Sequence, residues 1–384
     1  MISDAARLGP LAPPHAAGLE RWFARTGSPP LLDLARSGAA ALSAGELLRT
    51  APPEALDALL DLSLDYDEGR GRAPLRGAIA QSGAARCADE VLVTHGAVEA
   101  LLLSCAALRV QGRRVLVATP AYEALLRTPA ALGAQVEAVP VWSPGHDVLD
   151  LAPLHARITG DVAAVLVNSP ANPTGAVATA PALHALATRC AETGATLVVD
   201  EVAVATLDDA AESASSNEAF AGGAIVAIGD LSKSCGLGGL RIGWLTTTSA
   251  PLLDAAAALK DLTSLGNAAP AELLATIALQ QREALVAPVR HAALANLATL
   301  TAWIDAHSEA ALSKPRDGLV ALPFLPAAAT TRFAERLRHR HGVSLVPGDL
   351  LGIPGHVRIG LGLAPHRFAE ALDRLGAALR SPAG

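Results

Sequence analysis

The chain has 384 residues, of which 51% are hydrophobic and 17% charged, and this length suggests two or three domains around a large buried core. The formal net charge of −7 is spread without blocks, so no basic surface for nucleic acid is expected. The apolar runs are short and interrupted, which argues against a membrane span.

The N-terminal stretch MISDAARLGPLAPPHAAGLERW has no basic start followed by an apolar segment, so a secretory signal is not expected. The four cysteines, Cys87, Cys105, Cys190 and Cys235, are far apart and form no CxxC pair. They are typical of reduced thiols in a cytoplasmic protein, and no metal site is expected.

Short β-rich runs alternate with helical stretches from about residue 91 onward. The strand-like runs are, in order, EVLVTH, RRVLVATP, VAAVLVNS, TLVVDE, AIVAIGDL and LRIGWLTT. The helical patterns are GAVEALLLSCAALR, AYEALLRTPAALG and ALHALATRCAETG. This alternation predicts an α/β fold with a mostly parallel sheet covered on both faces, in which ligands bind beyond the carboxyl ends of the strands.

The first of these junctions is THGAVEAL, from Thr94 to Leu101, where a strand, a glycine and a helix follow one another. Backbone N–H groups and the helix dipole at such a junction favour an anion. Junctions of this kind are common, so the feature gains meaning only with the motifs below.

Two further strand ends carry polar groups. NSPANPTG, from Asn168 to Gly175, combines two prolines and a glycine in a rigid turn that contains Asn172. Asp200 ends the run TLVVD. A buried carboxylate is costly without a cationic partner, so Asp200 is either paired or is an ordinary helix cap or surface acid.

Lys233 lies in GDLSKSCGLGGLRIGW, between an apolar run and a glycine-rich turn, and Arg241 follows eight residues later. Lysine forms imines, and burial lowers its pKa enough to free the amine. Arginine provides a planar donor fork for phosphate. The combination suits a phosphorylated aldehyde held as a Schiff base, whereas a lone lysine near a glycine turn would be an ordinary surface feature.

This segment resembles the Schiff-base motif of the class I/II aminotransferases, which are fold type I enzymes that use pyridoxal 5'-phosphate (PLP). The resemblance implies a seven-stranded, mostly parallel sheet sandwiched by helices. It implies a large PLP-binding domain over 46–284, and a smaller α+β domain built from both chain ends, 1–45 and 285–384.

The resemblance also implies the roles of individual residues. Lys233 would form the internal aldimine, Asp200 would pair with the protonated pyridine nitrogen, and Asn172 would donate to O3' of PLP and contact the substrate. The cofactor phosphate would be held by Gly96, Ala97, Val98, Ser232 and Arg241.

Four more positions are assigned in the same way. Tyr122 would stack on the pyridine ring and act with the catalytic groups, whereas Tyr66 would reach the phosphate of the neighbouring subunit in a homodimer. Arg358, in HVRIGLG, would grip the substrate α-carboxylate by a bidentate pair, with Gly38 across the substrate.

The chain departs from the family pattern at two positions. The family commonly has a tyrosine that donates to O3' where this chain has Ala203, and its loss should raise the aldimine pKa. A serine is common where this chain has Asp230, so either that side chain turns away or the phosphate is held by fewer groups.

Three functions are compatible with these residues. The first is an aminotransferase acting on an α-amino acid and an α-keto acid. The second is PLP-dependent elimination or cyclisation, because SGAAALSAGELL and the compact length also resemble capreomycidine synthase-like enzymes of specialised metabolism, including antibiotic biosynthesis. The third is a ligand sensor or scaffold of the same fold. Substrate side-chain specificity is expected in loops near Gly38, His95 and Tyr122, and near Asn267 of a second subunit.

Overall fold

The computed structural model describes residues 18–380, except 28, 29, 31, 212, 215–219, 221 and 223. The first half contains the following elements: α1 (Leu19–Thr26), β1 (Leu32–Asp33), α2 (Ala44–Thr50), α3 (Glu54–Leu60), α4 (Ala73–Ile79), β2 (Val91–Thr94), α5 (Ala97–Ala107), β3 (Arg114–Thr119), α6 (Ala124–Ala131), β4 (Gln135–Pro140), α7 (Ala152–His155), β5 (Val162–Asn168), α8 (Ala180–Thr193) and β6 (Thr196–Asp200).

The second half continues with β7 (Ile225–Asp230), β8 (Gly243–Thr246), α9 (Ala250–Asp261), α10 (Ala269–Gln280), α11 (Arg282–Asp305), β9 (Val320–Ala321), α12 (Thr331–His341), β10 (Val343–Ser344), β11 (Val346–Pro347), α13 (Gly348–Leu351), β12 (Val357–Gly360) and α14 (Pro365–Arg380). In the part of the chain that is described, no helix is both long enough and apolar enough to cross a bilayer.

The central sheet has seven strands in the order β2-β8-β7-β6-β5-β3-β4. All neighbouring strands are parallel except for β8, which is antiparallel to both β2 and β7. The predicted fold class and its mostly parallel seven-stranded sheet are therefore confirmed. The single antiparallel strand β8 covers only GWLT of the predicted strand LRIGWLTT. The predicted start is wrong because Leu240 ends a 3-10 turn and Arg241 has a φ of 52°.

Side chains alternate between two cores along each central strand, as the period of two in a β-strand requires. In β3, Leu116 belongs to one core cluster, whereas Val115 and Val117 belong to another. Helix α8 packs in the first cluster, and helices α5 and α9 pack in the second. Because both faces are covered, the strands read as continuous apolar runs rather than alternating ones.

Edge strand β4 was not identified from its sequence, QVEAVP. Its residues are mostly half-exposed or exposed, and it ends in a proline, which is typical of an edge strand rather than a buried one. The helix boundaries have local causes: Thr179 caps the start of α8 by accepting from the N–H of Ala182, and Gly194 ends it with a φ of 75°.

The two chain ends share a separate core. Its members come from the beginning of the described chain (Leu19, Trp22 and Leu34) and from its last third (Phe333 and Phe368). Strand β1 pairs in parallel with β10, and β11, β12 and β9 form a small antiparallel sheet.

Helix α11 links the two parts of the fold. Its start, Leu285 and Val286, packs with the core of the large sheet, whereas Ala293, Leu300 and Ile304 pack with the core of the chain ends. Helix α11 therefore runs without a break across the predicted boundary between residues 284 and 285. The domain bounds 46–284, 1–45 and 285–384 stay a prediction. Residues 1–17 and 381–384 lie outside the described part.

Candidate active site

The carboxyl edge of the central sheet brings three polar side chains together. Asn168, Asp200 and Asp230 are the last residues of the adjacent strands β5, β6 and β7. A cavity of about 520 Å³ opens at this edge, where ligands of α/β folds bind. Eight of the residues predicted from the sequence line it: Ala97, Val98, Tyr122, Asn172, Asp200, Ser232, Lys233 and Arg241.

Lys233 places its amine between this cavity and an adjoining recess of about 260 Å³. Its Nζ donates to the hydroxyl of Ser37 at 3.1 Å. Burial lowers the pKa of Lys233 below its usual value, and the positive charge of Arg358 acts in the same direction. A lysine with a lowered pKa presents a larger fraction of neutral, nucleophilic amine.

Asp200 is 8% exposed and accepts one hydrogen bond in the described structure, from the N–H of Val202 at 3.3 Å. Burial is the main cause that raises the pKa of Asp200 to about 7, and the nearby charge of Asp230 adds to it, against the opposing charge of Lys233. A buried acid with so few donors is prepared for a cationic partner in the cavity.

Arg358 is 2% exposed and lines the recess together with Gly38. Its two terminal nitrogens donate to the side-chain oxygen of Asn172 at 3.0 Å and to the carbonyl of Ala35 at 2.7 Å, but its buried Nε has no partner among the described residues. Burial lowers the pKa of Arg358 to about 10. A buried guanidinium that lines a polar recess and is not fully paired is a candidate site for a carboxylate.

Close backbone packing positions the arginine and the lysine relative to each other. The N–H of Ala39 donates to the carbonyl of Lys233 at 2.8 Å, and a Cβ on Gly38 would lie only 3.1 Å from the Cα of Lys233. On the other side, the N–H of Gly360 donates to the carbonyl of Leu34 at 2.7 Å. The segment between these bonds therefore joins β12, which carries Arg358, to the Lys233 turn.

Gly96 and Arg241 form the predicted phosphate end. Gly96 immediately precedes α5 and has a φ of 79°. A Cβ on this residue would lie 2.4 Å from Nη2 of Arg241. That nitrogen donates to the carbonyl of His95 at 3.3 Å. The first amides of α5, those of Ala97 and Val98, have no intrahelical acceptor, and both residues line the same cavity as Arg241.

The two departures from the family pattern both line the cavity. Asp230 accepts from the Ser232 hydroxyl at 2.7 Å and from the Ser232 N–H at 2.8 Å. The side chain does not turn away, and it takes the hydroxyl that was predicted to bind the phosphate. Ala203 leaves open the space that a larger side chain would fill.

Tyr122 lies in the cavity wall, and its hydroxyl donates to the carboxylate of Glu20 at 3.0 Å. Burial is the main cause that raises the pKa of Tyr122, and the charge of Glu20 also contributes. The tyrosine is therefore a neutral hydrogen-bond donor at ordinary pH, and its stacking role stays a prediction.

Tyr66 is not part of this chain's cavity. It is 91% exposed and lines a separate groove of about 880 Å³ together with Asn267. Its predicted action across a dimer interface stays a prediction.

Sequence reasoning missed three residues at the site: Glu20, Ser37 and Asp317. Asp317 accepts from five backbone N–H groups, those of Ala205, Thr206, Leu207, Asp208 and Gly318. No local motif marks Glu20 or Asp317, because each reaches the cavity through contacts about 100 residues away along the chain. Ser37 directly precedes Gly38 and could have been considered with it.

The residues present fit PLP. The buried acid Asp200, which forms no ion pair in the described structure, matches the protonated ring nitrogen, and an amine with a lowered pKa matches the aldehyde. Helix-terminal amides with Arg241 match the phosphate. Because the Ser232 hydroxyl donates to the carboxylate of Asp230, the phosphate would have fewer donors.

Comparison with known proteins gives one family. The sequence pattern of the family described as "Aminotransferase class I and II" matches residues 40–375. A capreomycidine synthase from Streptomyces vinaceus is 32% identical over 357 residues, which cover 92% of this chain and 90% of that protein. An arginine–pyruvate transaminase from Pseudomonas aeruginosa is 30% identical over 333 residues, covering 84% of each.

Solved structures agree with the sequence comparison. The structure of the PLP-dependent cyclase OrfR superposes with a TM-score of 0.85 at 35% identity, covering 95% of this chain and 97% of that one. A PLP-dependent aminotransferase from Streptococcus suis superposes with a TM-score of 0.86 at 26% identity and the same coverage.

Proposed function

Because the chain belongs to the aminotransferase class I and II family, we propose that it binds PLP at Lys233 and transfers the amino group of an α-amino acid to an α-keto acid. One observation carries this proposal. An amine with a lowered pKa, a buried acid and a buried arginine lie around one pair of adjoining cavities, at Lys233, Asp200 and Arg358.

PLP, when bound, supplies an aldehyde that reacts with amines and a cationic ring that withdraws electrons from the substrate Cα. The Asp200 carboxylate would keep the proton on the ring nitrogen. The side chain of Arg358 would fix the substrate α-carboxylate and so orient the Cα–H bond. The Lys233 amine, whose pKa is lowered, can accept the proton at Cα and return it, which is general acid–base catalysis by a positioned side chain.

Amine transfer with a matched variant tests this function. The PLP-loaded enzyme is incubated with a panel of α-amino acids and either pyruvate or 2-oxoglutarate, and products are identified by mass spectrometry. We expect a new keto acid and a new amino acid in equal amounts, and neither with Lys233→Ala. Failure of every donor and acceptor pair to exchange the amine would contradict transamination.

Elimination or cyclisation is the second candidate, and two observations favour it. Ala203 leaves the cavity without the phenol that the family commonly places there. Two relatives that match over nine-tenths or more of the chain, a capreomycidine synthase and a PLP-dependent cyclase, carry names of this type. This function uses the same Lys233, Asp200 and Arg358. Turnover of an amino acid without any keto acid, and without net amine loss to an acceptor, would identify it.

We further propose a homodimer in which Tyr66 acts on the partner's site. Leu60, Leu64 and Leu262 are 72%, 80% and 82% exposed, close in sequence to Tyr66 and to the 264–267 segment. In that segment, the buried Ser264 hydroxyl and Asn267 amide nitrogen find no hydrogen-bond partner within the described part of the chain. Exposed apolar side chains around a polar groove are typical of a protein interface, and a second copy of this chain is the occupant that would also place Tyr66 at a cavity.

A cytoplasmic location is the last part of the proposal. The four cysteines are free thiols in the structure, and three of them are buried. Free thiols persist in reducing compartments. Fractionation of the producing cells, with the enzyme detected by antibody, checks this.

A further inference from the structure

Four carboxylates line the cavity, and three of them are used within the protein. Asp317 holds five backbone N–H groups. Asp230 holds the hydroxyl and N–H of Ser232, and Asp200 faces the proposed cofactor. Glu20 is the fourth, and among the described residues its carboxylate accepts one hydrogen bond, from the Tyr122 hydroxyl at 3.0 Å.

The position of Glu20 is set by packing. It is the second residue of α1, and its neighbours Leu19 and Trp22 are each 4% exposed in the core shared by the chain ends. The carboxylate of Glu123 accepts from the N–H of Glu20 at 3.4 Å and holds the start of the helix against the cavity wall. Glu20 therefore projects over the cavity from a docked helix.

In the described part of the chain, no lysine, arginine or histidine forms an ion pair with Glu20. Burial lowers the pKa of Lys233 and of Arg358, and the negative charge of Glu20 opposes that lowering at both groups. Both already have tasks in the proposed function. Arg36 also lines the recess, and its charge acts on Asp33.

Resting on the proposed function, we propose that the site takes α-amino acids with a cationic side chain, a guanidinium or an ammonium, and that Glu20 is the acceptor of that cation. Arg358 then fixes the α-carboxylate, and Glu20 with Tyr122 sets the specificity at the other charged group. A carboxylate has open acceptor positions after one hydrogen bond, and a charge-assisted bond to a cation is stronger than a neutral one. An acidic side chain would meet repulsion at the same place, which excludes the wrong substrate as well as favouring the right one.

Two pairs of amino acids that differ mainly in charge test the inference: arginine against citrulline, and lysine against norleucine. Their dissociation constants from the PLP-loaded enzyme are measured by calorimetry and by the absorbance change. We expect the wild type to bind at least one cationic member about tenfold or more tightly than its neutral partner, which corresponds to about 1.4 kcal/mol. The arginine and lysine arms distinguish guanidinium from ammonium recognition.

Glu20→Gln should abolish this preference by weakening the cationic ligand alone, with citrulline and norleucine unchanged. Glu192→Gln removes the same charge from an exposed pair with Arg189 on α8, and it should keep the preference. Thermal melts of both variants check that α1 remains docked.

Three results would overturn the inference. The wild type could bind each neutral ligand as tightly as its cationic partner, or prefer aspartate. Glu20→Gln could also tighten binding of every amino acid regardless of side chain, which would make Glu20 a competitor for Arg358. Borohydride labelling of Lys233 in the same preparations distinguishes failure of this inference from failure of the proposed function. A labelled enzyme without charge preference would contradict only this inference. An enzyme with unlabelled Lys233 would contradict the proposed function as well.

Discussion

At the scale of single residues, the burial of Asp200 makes the stability of the PLP-free protein depend on pH. Since burial raises its pKa from 3.8 to about 7, the folded PLP-free protein keeps a proton that the unfolded chain releases between about pH 4 and pH 7. Stability of the PLP-free protein should therefore fall as the pH rises through this window and level off above it. Glu201, with a pKa raised to about 7 by burial, contributes with the same sign.

Asp200→Asn removes the share of Asp200 in this dependence. We expect the Tm of the PLP-free variant to fall less than that of the wild type between about pH 4 and pH 7. Thermal melts of the two proteins across the window measure the difference. Parallel Tm profiles would show that Asp200 does not change protonation on folding.

A change at Arg358 should weaken substrate binding without weakening cofactor binding. Arg358→Lys keeps the charge but loses the planar fork, so KM for α-amino acids should rise about tenfold or more. The dissociation constant of PLP should stay close to that of the wild type, because Arg358 lies in the recess beside Gly38 rather than at the phosphate end. A large loss of PLP with unchanged KM would contradict this placement.

At the scale of elements, Gly360 in β12 joins the Arg358 strand to the segment that packs on Lys233. A Cβ on Gly360 would lie 1.7 Å from the carbonyl oxygen of Arg36, so Gly360→Ala must move that segment. We expect a lower Tm, with a loss of about 1–3 kcal/mol in the free energy of unfolding. We also expect weaker substrate binding. Gly77→Ala in α4 is the control: its Cβ meets nothing within 4 Å, so the variant should be neutral or slightly stabilised. Equal losses in both variants would contradict the close approach.

The elements that could be predicted from sequence are those with strong local signals. Buried strands such as β5 and β6 are continuous apolar runs, and their last residues, Asn168 and Asp200, mark the edge where ligands bind. The edge strand β4 escaped because half of its pattern faces solvent. The contribution of α1 escaped for another reason, because Glu20 meets Tyr122 only through the tertiary fold.

At the scale of the whole molecule, the groove around Tyr66 and Asn267 predicts that each site needs a second chain. One loop contains Tyr66 and Gly69, and the other contains Asn267. Lys260 joins these two loops, because its buried amine donates to the carbonyl of Gly69 at 2.7 Å and to the side chain of Asn267 at 2.9 Å. The loops are therefore held in one arrangement on the surface of a single chain.

Mixed dimers test this prediction. Lys233→Ala and Tyr66→Ala chains should each be weakly active or inactive alone, but a refolded mixture should regain activity. One site of each hybrid then combines an intact Lys233 with an intact Tyr66 from the other chain. Sedimentation of the PLP-loaded wild type should show a dimer. A monomer, or a mixture no more active than its parents, would contradict action across an interface.

Borohydride reduction tests most directly the proposed covalent bond between Lys233 and PLP. The purified protein is loaded with PLP, reduced, digested and mapped by mass spectrometry, beside Lys233→Ala and Lys260→Met as a control for a second buried lysine. We predict that a phosphopyridoxyl group is found on the peptide containing Lys233 in the wild type and in Lys260→Met, and on no peptide of Lys233→Ala. An unmodified Lys233, or a label that persists at another lysine when Lys233 is replaced, would contradict the account.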